Sequence, residues 1–398
     1  MRSKKKVKTH SMRLANKNKK MNTLIIGAGP AGLAVAGRMR KANLPFTIIE
    51  QNEQVGSAWH SHYDRLHLHT VKELSHLPHL PFPKDYPRYV PRKKLIAYFE
   101  EYSKHFDIKP EFGVEVTWIK KEPNEQKWEV QTKGGKKYSA ANVIVATGIN
   151  RTPKIPKWTG QETFKGDIQH SIHYKNPEPY KGKKVLVIGM GNTGAEIAFD
   201  LSNYDIETYI SVRNPLNIVP RDLNGRPVQL TAKKLAKLPF GLGDWIGGKV
   251  RRIHFGDLRK YGLEPSKLSP LKQVTETNKT AVIDIGTVQA IKEGKIKVVK
   301  DITHFTPEGV VFKNGTTQEI DKVILATGYL PNITSFIERG KEVLDKFSCP
   351  HPPIPKGYHK GLYFVGYDSY KLGGILGTIF TDSELVVKDL LGSSCIRN

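Results

Sequence analysis

The chain has 398 residues, 38% hydrophobic and 25% charged, the balance of a soluble globular protein with room for two or three domains that each bury a core. No apolar run nears the roughly 20 residues that span a bilayer, so no transmembrane class is expected. The formal charge of +25 invites a nucleic-acid reading, but nine Lys or Arg and no acids fall in residues 1–20; setting those nine aside leaves about +16, which suits small anionic ligands and predicts no nucleic-acid partner.

Residues 1–20 are expected to be a disordered basic tail ahead of Met21, read as a poor organelle-targeting peptide or an upstream or vector-derived extension. The tail lacks the apolar segment of a secretory signal, which predicts a cytoplasmic location and no firm membrane association. The two cysteines, Cys349 and Cys395, are far apart. A disulfide reductase is thereby excluded, because it needs a closely spaced redox pair, and low cysteine use fits a reducing compartment.

The ordered chain opens with a buried-strand pattern, Thr23-Leu-Ile-Ile26, followed by Gly27-Ala-Gly-Pro-Ala-Gly32 and a helical Leu33-Ala-Val-Ala36. Gly27 would make the tight turn, Gly29 would let backbone N–H groups approach a pyrophosphate, and Gly32 would allow close helix-to-strand packing, with Pro30 and Ala31 opening the helix. The helix N-terminus adds partial positive charge. The next strand, Phe46-Thr-Ile-Ile49, ends in Glu50 and Gln51, and a carboxylate eighteen residues past Gly32 suits an unphosphorylated ribose. FAD is the expected ligand.

A Pro- and His-rich stretch, 55–92, is too irregular for regular elements. A helix is predicted over 92–102, then short strands at 114–119 and 127–131 and a strand Val143-Ile-Val145 ending in Ala146-Thr147-Gly148. A second fingerprint, Gly189-Met-Gly191-Asn192-Thr193-Gly194, follows the strand Lys184–Ile188. The strand after it ends in Arg213, whose guanidinium suits a ribose 2′-phosphate, so the second ligand is expected to be NADPH. A near twin of the first ATG segment, Val323-Ile-Leu-Ala326-Thr327-Gly328, comes later. Two fingerprints and two ATG segments predict an α/β fold of two Rossmann-like domains. In it an NADPH domain, 165–315, is inserted into a discontinuous FAD domain, 21–160 and 320–392, with a frayed C-terminus over 393–398.

Between the two halves lies Phe164-Lys-Gly166-Asp-Ile-Gln-His170-Ser-Ile-His-Tyr174, whose F-x-G-x-x-x-H-x-x-x-Y spacing resembles the signature of class B flavin-containing monooxygenases. Ser57-Ala-Trp59, the run Tyr63 to His69, Leu77 to Pro83, and Val212 to Arg221 resemble the YUCCA branch, the indole-3-pyruvate monooxygenases, and their bacterial relatives. The likeness covers roughly residues 23–392 and weakens at Gly361 to Tyr370.

The resemblance implies FAD contacts at Trp59, His67, Val116 and Gly366, NADPH contacts at Arg221 and the signature residues, and catalytic roles for His69 and Lys72. It implies hydride transfer from NADPH, oxygen activation as a flavin C4a-(hydro)peroxide, and decarboxylating oxygenation of an aromatic 2-oxo acid. Dioxygen and a small organic substrate are then the partners, and a homodimer stays open. N-, S-, Baeyer–Villiger or indole-ring oxygenation and a non-oxygenating NADPH–flavin redox protein are the alternatives. Six histidines at 60–79 include two H-x-H pairs, but without clustered Cys or acidic partners no metal site is expected.

Overall fold

The computed structural model describes residues 22–123, 126–235, 242–368 and 374–395; the expected tail 1–20 and residues 396–398 lie outside them. Two parallel sheets form the frame. The first has strand order β2-β1-β6-β21, with β1 Thr23–Ile26, β2 Thr47–Ile49, β6 Asn142–Val145 and β21 Leu362–Phe364. Nearly every residue of these strands is buried, as expected where helices and loops cover both faces of a parallel sheet.

The second sheet has order β15-β10-β9-β19-β8, with β8 Asp167–His170, β9 Lys184–Ile188, β10 Glu207–Ser211, β15 Ile296–Val299 and β19 Lys322–Leu325. Each half repeats one plan. A fingerprint strand leads into a helix, Pro30–Lys41 or Asn192–Leu201, and then a neighbouring parallel strand. A three-stranded antiparallel meander follows: β3 Val116–Lys121, β4 Trp128–Thr132 and β5 Lys137–Ala140 in the first, β16 Ile302–Thr306, β17 Gly309–Phe312 and β18 Thr317–Glu319 in the second. The ATG strand then returns beside the fingerprint strand.

The chain crosses between the halves twice, at β7 Thr152–Pro153 and at β20 Tyr329–Leu330, and these segments pair antiparallel. The second unit also carries two small ribbons, β11 Ile218–Pro220 with β14 Val282–Asp284 and β12 Asp222–Leu223 with β13 Arg226–Pro227.

β21 and the last helix, Gly374–Cys395, rejoin the first unit. Arg38 ties that helix to the fingerprint helix by donating to the Phe380 carbonyl and Ser383 Oγ at 3.1 Å each. One boundary differs from the sequence expectation: β19, assigned to the first domain by a cut at 320, lies inside the second sheet. The reason is that an ATG strand backs its own fingerprint, and the change of unit comes after Gly328. The stretch 55–92 is mostly irregular, with one short α-helix, Ser57–Ser61, and a single 3-10 turn, Lys72–Leu74. No described helix is long and apolar enough to cross a membrane.

Candidate active site and nucleotide loops

The two fingerprints are built alike. Gly27 and Gly189 adopt φ of +104° and +101°, and a Cβ on them would stand 2.6 Å from the Ala146 carbonyl oxygen and 2.8 Å from that of Ala326. Each ATG segment therefore presses its alanine carbonyl onto the first glycine of its own fingerprint, a space only glycine leaves. Gly32 and Gly194 close the helix onto the turn, since a Cβ would come 1.9 Å from the carbonyl oxygens of Gly27 and Gly189. By contrast, a Cβ on Gly29 or Gly191 meets nothing within 4 Å, and each caps a helix with unpaired N–H groups. These open faces fit the diphosphates of two dinucleotides.

Beside the first loop, Glu50 is buried and accepts from the Ala28 N–H at 2.8 Å and from the backbone and side-chain nitrogens of Asn52 at 3.0 and 2.9 Å. Its carboxylate is thus pinned at the fingerprint with acceptor capacity left for a ribose. Asn52 was not anticipated; Gln51 is exposed. Val116 is buried at the start of β3. Thr147 Oγ1 lies 2.7 Å from the hydroxyl of Tyr367, a phenol pushed up to about 12 by burial. Gly366 has φ +83°, and a Cβ there would meet Ile379 at 2.8 Å and Ala31 at 3.5 Å.

In the second half, Asn192 binds back into its unit, accepting from Ile283 N–H at 2.7 Å, while Thr193 stays half-buried. Arg213 is exposed and, with Asn214, Lys300 and Lys313, lines a cavity of about 330 Å³ just past β10 and β15. Arg221 lies over the Tyr89 ring at 4.4 Å and contacts Asp222 at 3.3 Å.

The signature residues make their contacts within the protein. Phe164 packs edge-on against Phe305, and a Cβ on Gly166 would strike the Phe164 ring and the Asp321 carbonyl oxygen at 2.4 Å each. His170 reaches the Gly328 carbonyl at 3.1 Å, and Tyr174 donates to Asp200 Oδ2 at 2.7 Å. Thr327 Oγ1 donates to the Lys154 carbonyl and the Gly328 carbonyl accepts from the Lys154 N–H, so the second ATG segment also braces the crossing after β7.

His69 is largely covered and its Nε2 stands 3.1 Å from Glu196 Oε2, which also accepts from the Tyr63 hydroxyl at 2.8 Å. The site thus spans both halves. Two expected site residues make their contacts within the irregular stretch. Lys72 donates to the carbonyls of Lys84 and Tyr86 at 2.9 and 2.6 Å, so two of its ammonium's three N–H bonds pin that stretch. His67 is exposed, with Nδ1 on the Arg65 carbonyl. Trp59 is half-buried, edge-on to His62 and Phe99 at 5.4 and 6.2 Å. The H-x-H pairs diverge: His60 faces Glu100 at 3.9 Å while His69 faces Glu196. Glu196 was missed; the signal was an acid in the otherwise apolar run Ala195-Glu-Ile-Ala198.

Paired dinucleotide loops on an α/β frame, with side-chain contacts from Tyr63, Arg65 and His69 to Glu196 and Asp200 joining the halves, define a nucleotide-dependent oxidoreductase. Residues 18–347 match the family described as flavin-binding monooxygenase-like. The chain is 38% identical to the probable indole-3-pyruvate monooxygenase YUCCA7 of Arabidopsis thaliana, over 88% of this chain and 84% of that one. It is 35% identical to the indole-3-pyruvate monooxygenase YUCCA1 of Oryza sativa subsp. japonica, over 92% and 90%. Among solved structures, a flavin-containing monooxygenase from Stenotrophomonas maltophilia aligns with a TM-score of 0.71 at 20% identity, over 94% of this chain and 98% of that one. Cyclohexanone monooxygenase from Rhodococcus sp. Phi1 bound to NADP+ aligns with a TM-score of 0.71 at 20% identity, over 92% and 84%. The chain belongs to the flavin-binding monooxygenase-like family. It is an NADPH-dependent flavin monooxygenase with FAD and NADPH as cofactors.

Proposed function

We propose that this enzyme converts an aromatic 2-oxo acid, indole-3-pyruvate foremost, to the acid one carbon shorter. The 2-oxo acid, dioxygen, NADPH and a proton become indole-3-acetate, carbon dioxide, NADP+ and water. The observation that carries this reading is the similarity to indole-3-pyruvate monooxygenases over 88–92% of the chain, far above the 20% identity to the structural neighbours. When bound, the flavin accepts hydride from NADPH and activates dioxygen.

The residues have separate tasks. Gly27, Gly29, Gly32 and Glu50 hold FAD at the first helix N-terminus. Gly189, Gly191, Gly194 and Arg213 hold NADPH at the second, with Arg213 reading the 2′-phosphate. The irregular stretch 55–92, which reaches Glu196 and Asp200 of the second half, keeps out water, which would divert activated oxygen to hydrogen peroxide. His69 offers its ring to the reacting oxygen atoms or the substrate. A cytoplasmic location belongs to the same proposal and is supported by the low cysteine count; Cys349 is buried and free.

Labelled dioxygen tests the reading. Turnover under ¹⁸O₂ with indole-3-pyruvate is expected to place one labelled atom in the carboxylate of indole-3-acetate. Label found only in water and hydrogen peroxide would contradict it.

A further inference from the structure

The helix behind the second fingerprint carries two acids one turn apart, Glu196 and Asp200, and both are buried. Buried carboxylates are costly unless hydrogen-bonded or paired. Here three of the four partners arrive from outside the helix's own unit. Tyr63, Arg65 and His69 come from the irregular stretch of the first half, whereas Tyr174 follows β8 within the second. Tyr63 and His69 both meet Glu196 Oε2, at 2.8 and 3.1 Å. Tyr174 donates to Asp200 at 2.7 Å, and Arg65 Nη1 stands 3.6 Å from it.

Donor logic then fixes the histidine. Burial, and after it the neighbouring Glu196 charge, pushes the Tyr63 phenol well above its ordinary range, so it stays protonated and donates. A carboxylate only accepts. Nε2 of His69 must therefore carry the hydrogen, and in the neutral ring Nδ1 is left as a bare acceptor. Nδ1 has no hydrogen-bond partner among the described residues. A carboxylate behind one ring nitrogen that sets what the other can do is the arrangement by which enzymes orient histidines.

We infer that Glu196 is a positioning residue for the monooxygenase reaction: across the interface between the two units it fixes His69 as the Nε2–H tautomer, leaving Nδ1 as the working acceptor. This rests on the reading of His69 as an active-site ring. It also makes that ring's geometry conditional on docking of the helix that opens the second nucleotide site. Asp200, with Arg65 and Tyr174, holds the same helix face one turn further on.

The test uses full-length, FAD-loaded protein labelled with ¹⁵N-histidine, with the His69 ring signals assigned by their loss in His69→Asn. Wild type is expected to show the Nε2–H tautomer, Glu196→Gln a mixture of both, and Tyr63→Phe, which leaves Glu196 in place, the wild-type tautomer. With indole-3-pyruvate, Glu196→Gln should raise hydrogen peroxide released per NADPH by about fivefold, the scale of one lost hydrogen bond, with NADP+ affinity held. An unchanged tautomer in Glu196→Gln overturns the inference, as does a changed tautomer with unchanged peroxide release. If that variant does not fold, a wild-type ring found mainly as Nδ1–H overturns it alone. Wild type that forms no indole-3-acetate contradicts the substrate reading and leaves the tautomer result standing.

Discussion

His170 donates from Nε2 to the carbonyl oxygen of Gly328 at 3.1 Å, tying the last residue of β8 to the turn where the chain leaves the second sheet. A carbonyl only accepts, so Nε2 carries the hydrogen and Nδ1 is free to accept from the Ile172 N–H at 3.3 Å. The ring also stands edge-on to Tyr329 at 4.9 Å, in the strand that returns to the first half. The signature histidine thus joins the outgoing and returning segments. His170→Ala is expected to lower unfolding stability by about 1–3 kcal/mol while flavin stays bound. Denaturant unfolding beside the flavin absorbance checks this; full loss of flavin at unchanged stability would point to direct cofactor contact instead.

The third and second glycines of the first fingerprint should fail in different ways. At Gly32 a Cβ would collide with the Gly27 carbonyl oxygen at 1.9 Å, so Gly32→Ala should disrupt the fold. At Gly29 the backbone has an ordinary φ of −77° and a Cβ finds open space, so Gly29→Val should fold. Its side chain would fill the face over the helix N-terminus, and the protein should purify colourless. Circular dichroism and the visible spectrum separate the two outcomes. A folded, yellow Gly29→Val would contradict the placement of FAD there.

Arg213 stands in the cavity past β10 with Lys300 and Lys313, whose lining also includes Glu264 and Asp301. Removing one charge-assisted phosphate contact should weaken NADPH by about 1.5–3 kcal/mol. Arg213→Ala should therefore raise KM for NADPH by one to two orders of magnitude and leave KM for NADH nearly unchanged. Equal losses for both nucleotides would contradict the assignment.

His62 gives the pH dependence a definite sign. Burial, then the charges of Lys175 and Arg92, lowers its pKa from 6.5 to about 4. Its folded value lies below the unfolded one, so the stability it contributes is present above about pH 6.5 and is lost as pH falls from there toward 4. At most about 2 kcal/mol should go between pH 7 and pH 5 by this route. Denaturant midpoints at those two pH values should fall further for wild type than for His62→Gln, and parallel falls would contradict the prediction.

Much of the frame was legible because glycine requirements are local. A left-handed turn at Gly27 or Gly189, and a close approach at Gly32 or Gly194, can be read from spacing alone. The terminal Glu50 and Arg213 were legible for the same reason, as each ends the strand next to a fingerprint. The boundary near 320 was misplaced because ATG at 326–328 looks like a return to the first half, whereas its alanine backs Gly189. Roles within 55–92 were hardest to read, since that stretch has no period from which facing can be inferred. The contacts that Lys72 and His67 make within it were not legible for that reason. Glu196 went unnoticed because its partners, Tyr63 and His69, are more than 120 residues away in sequence.

The most direct test of the central claim is stoichiometry. FAD-loaded protein oxidising NADPH with indole-3-pyruvate should form indole-3-acetate and carbon dioxide in equal amounts, matching the NADPH consumed, with little hydrogen peroxide. NADPH consumed entirely into hydrogen peroxide, with indole-3-pyruvate recovered unchanged, would contradict it.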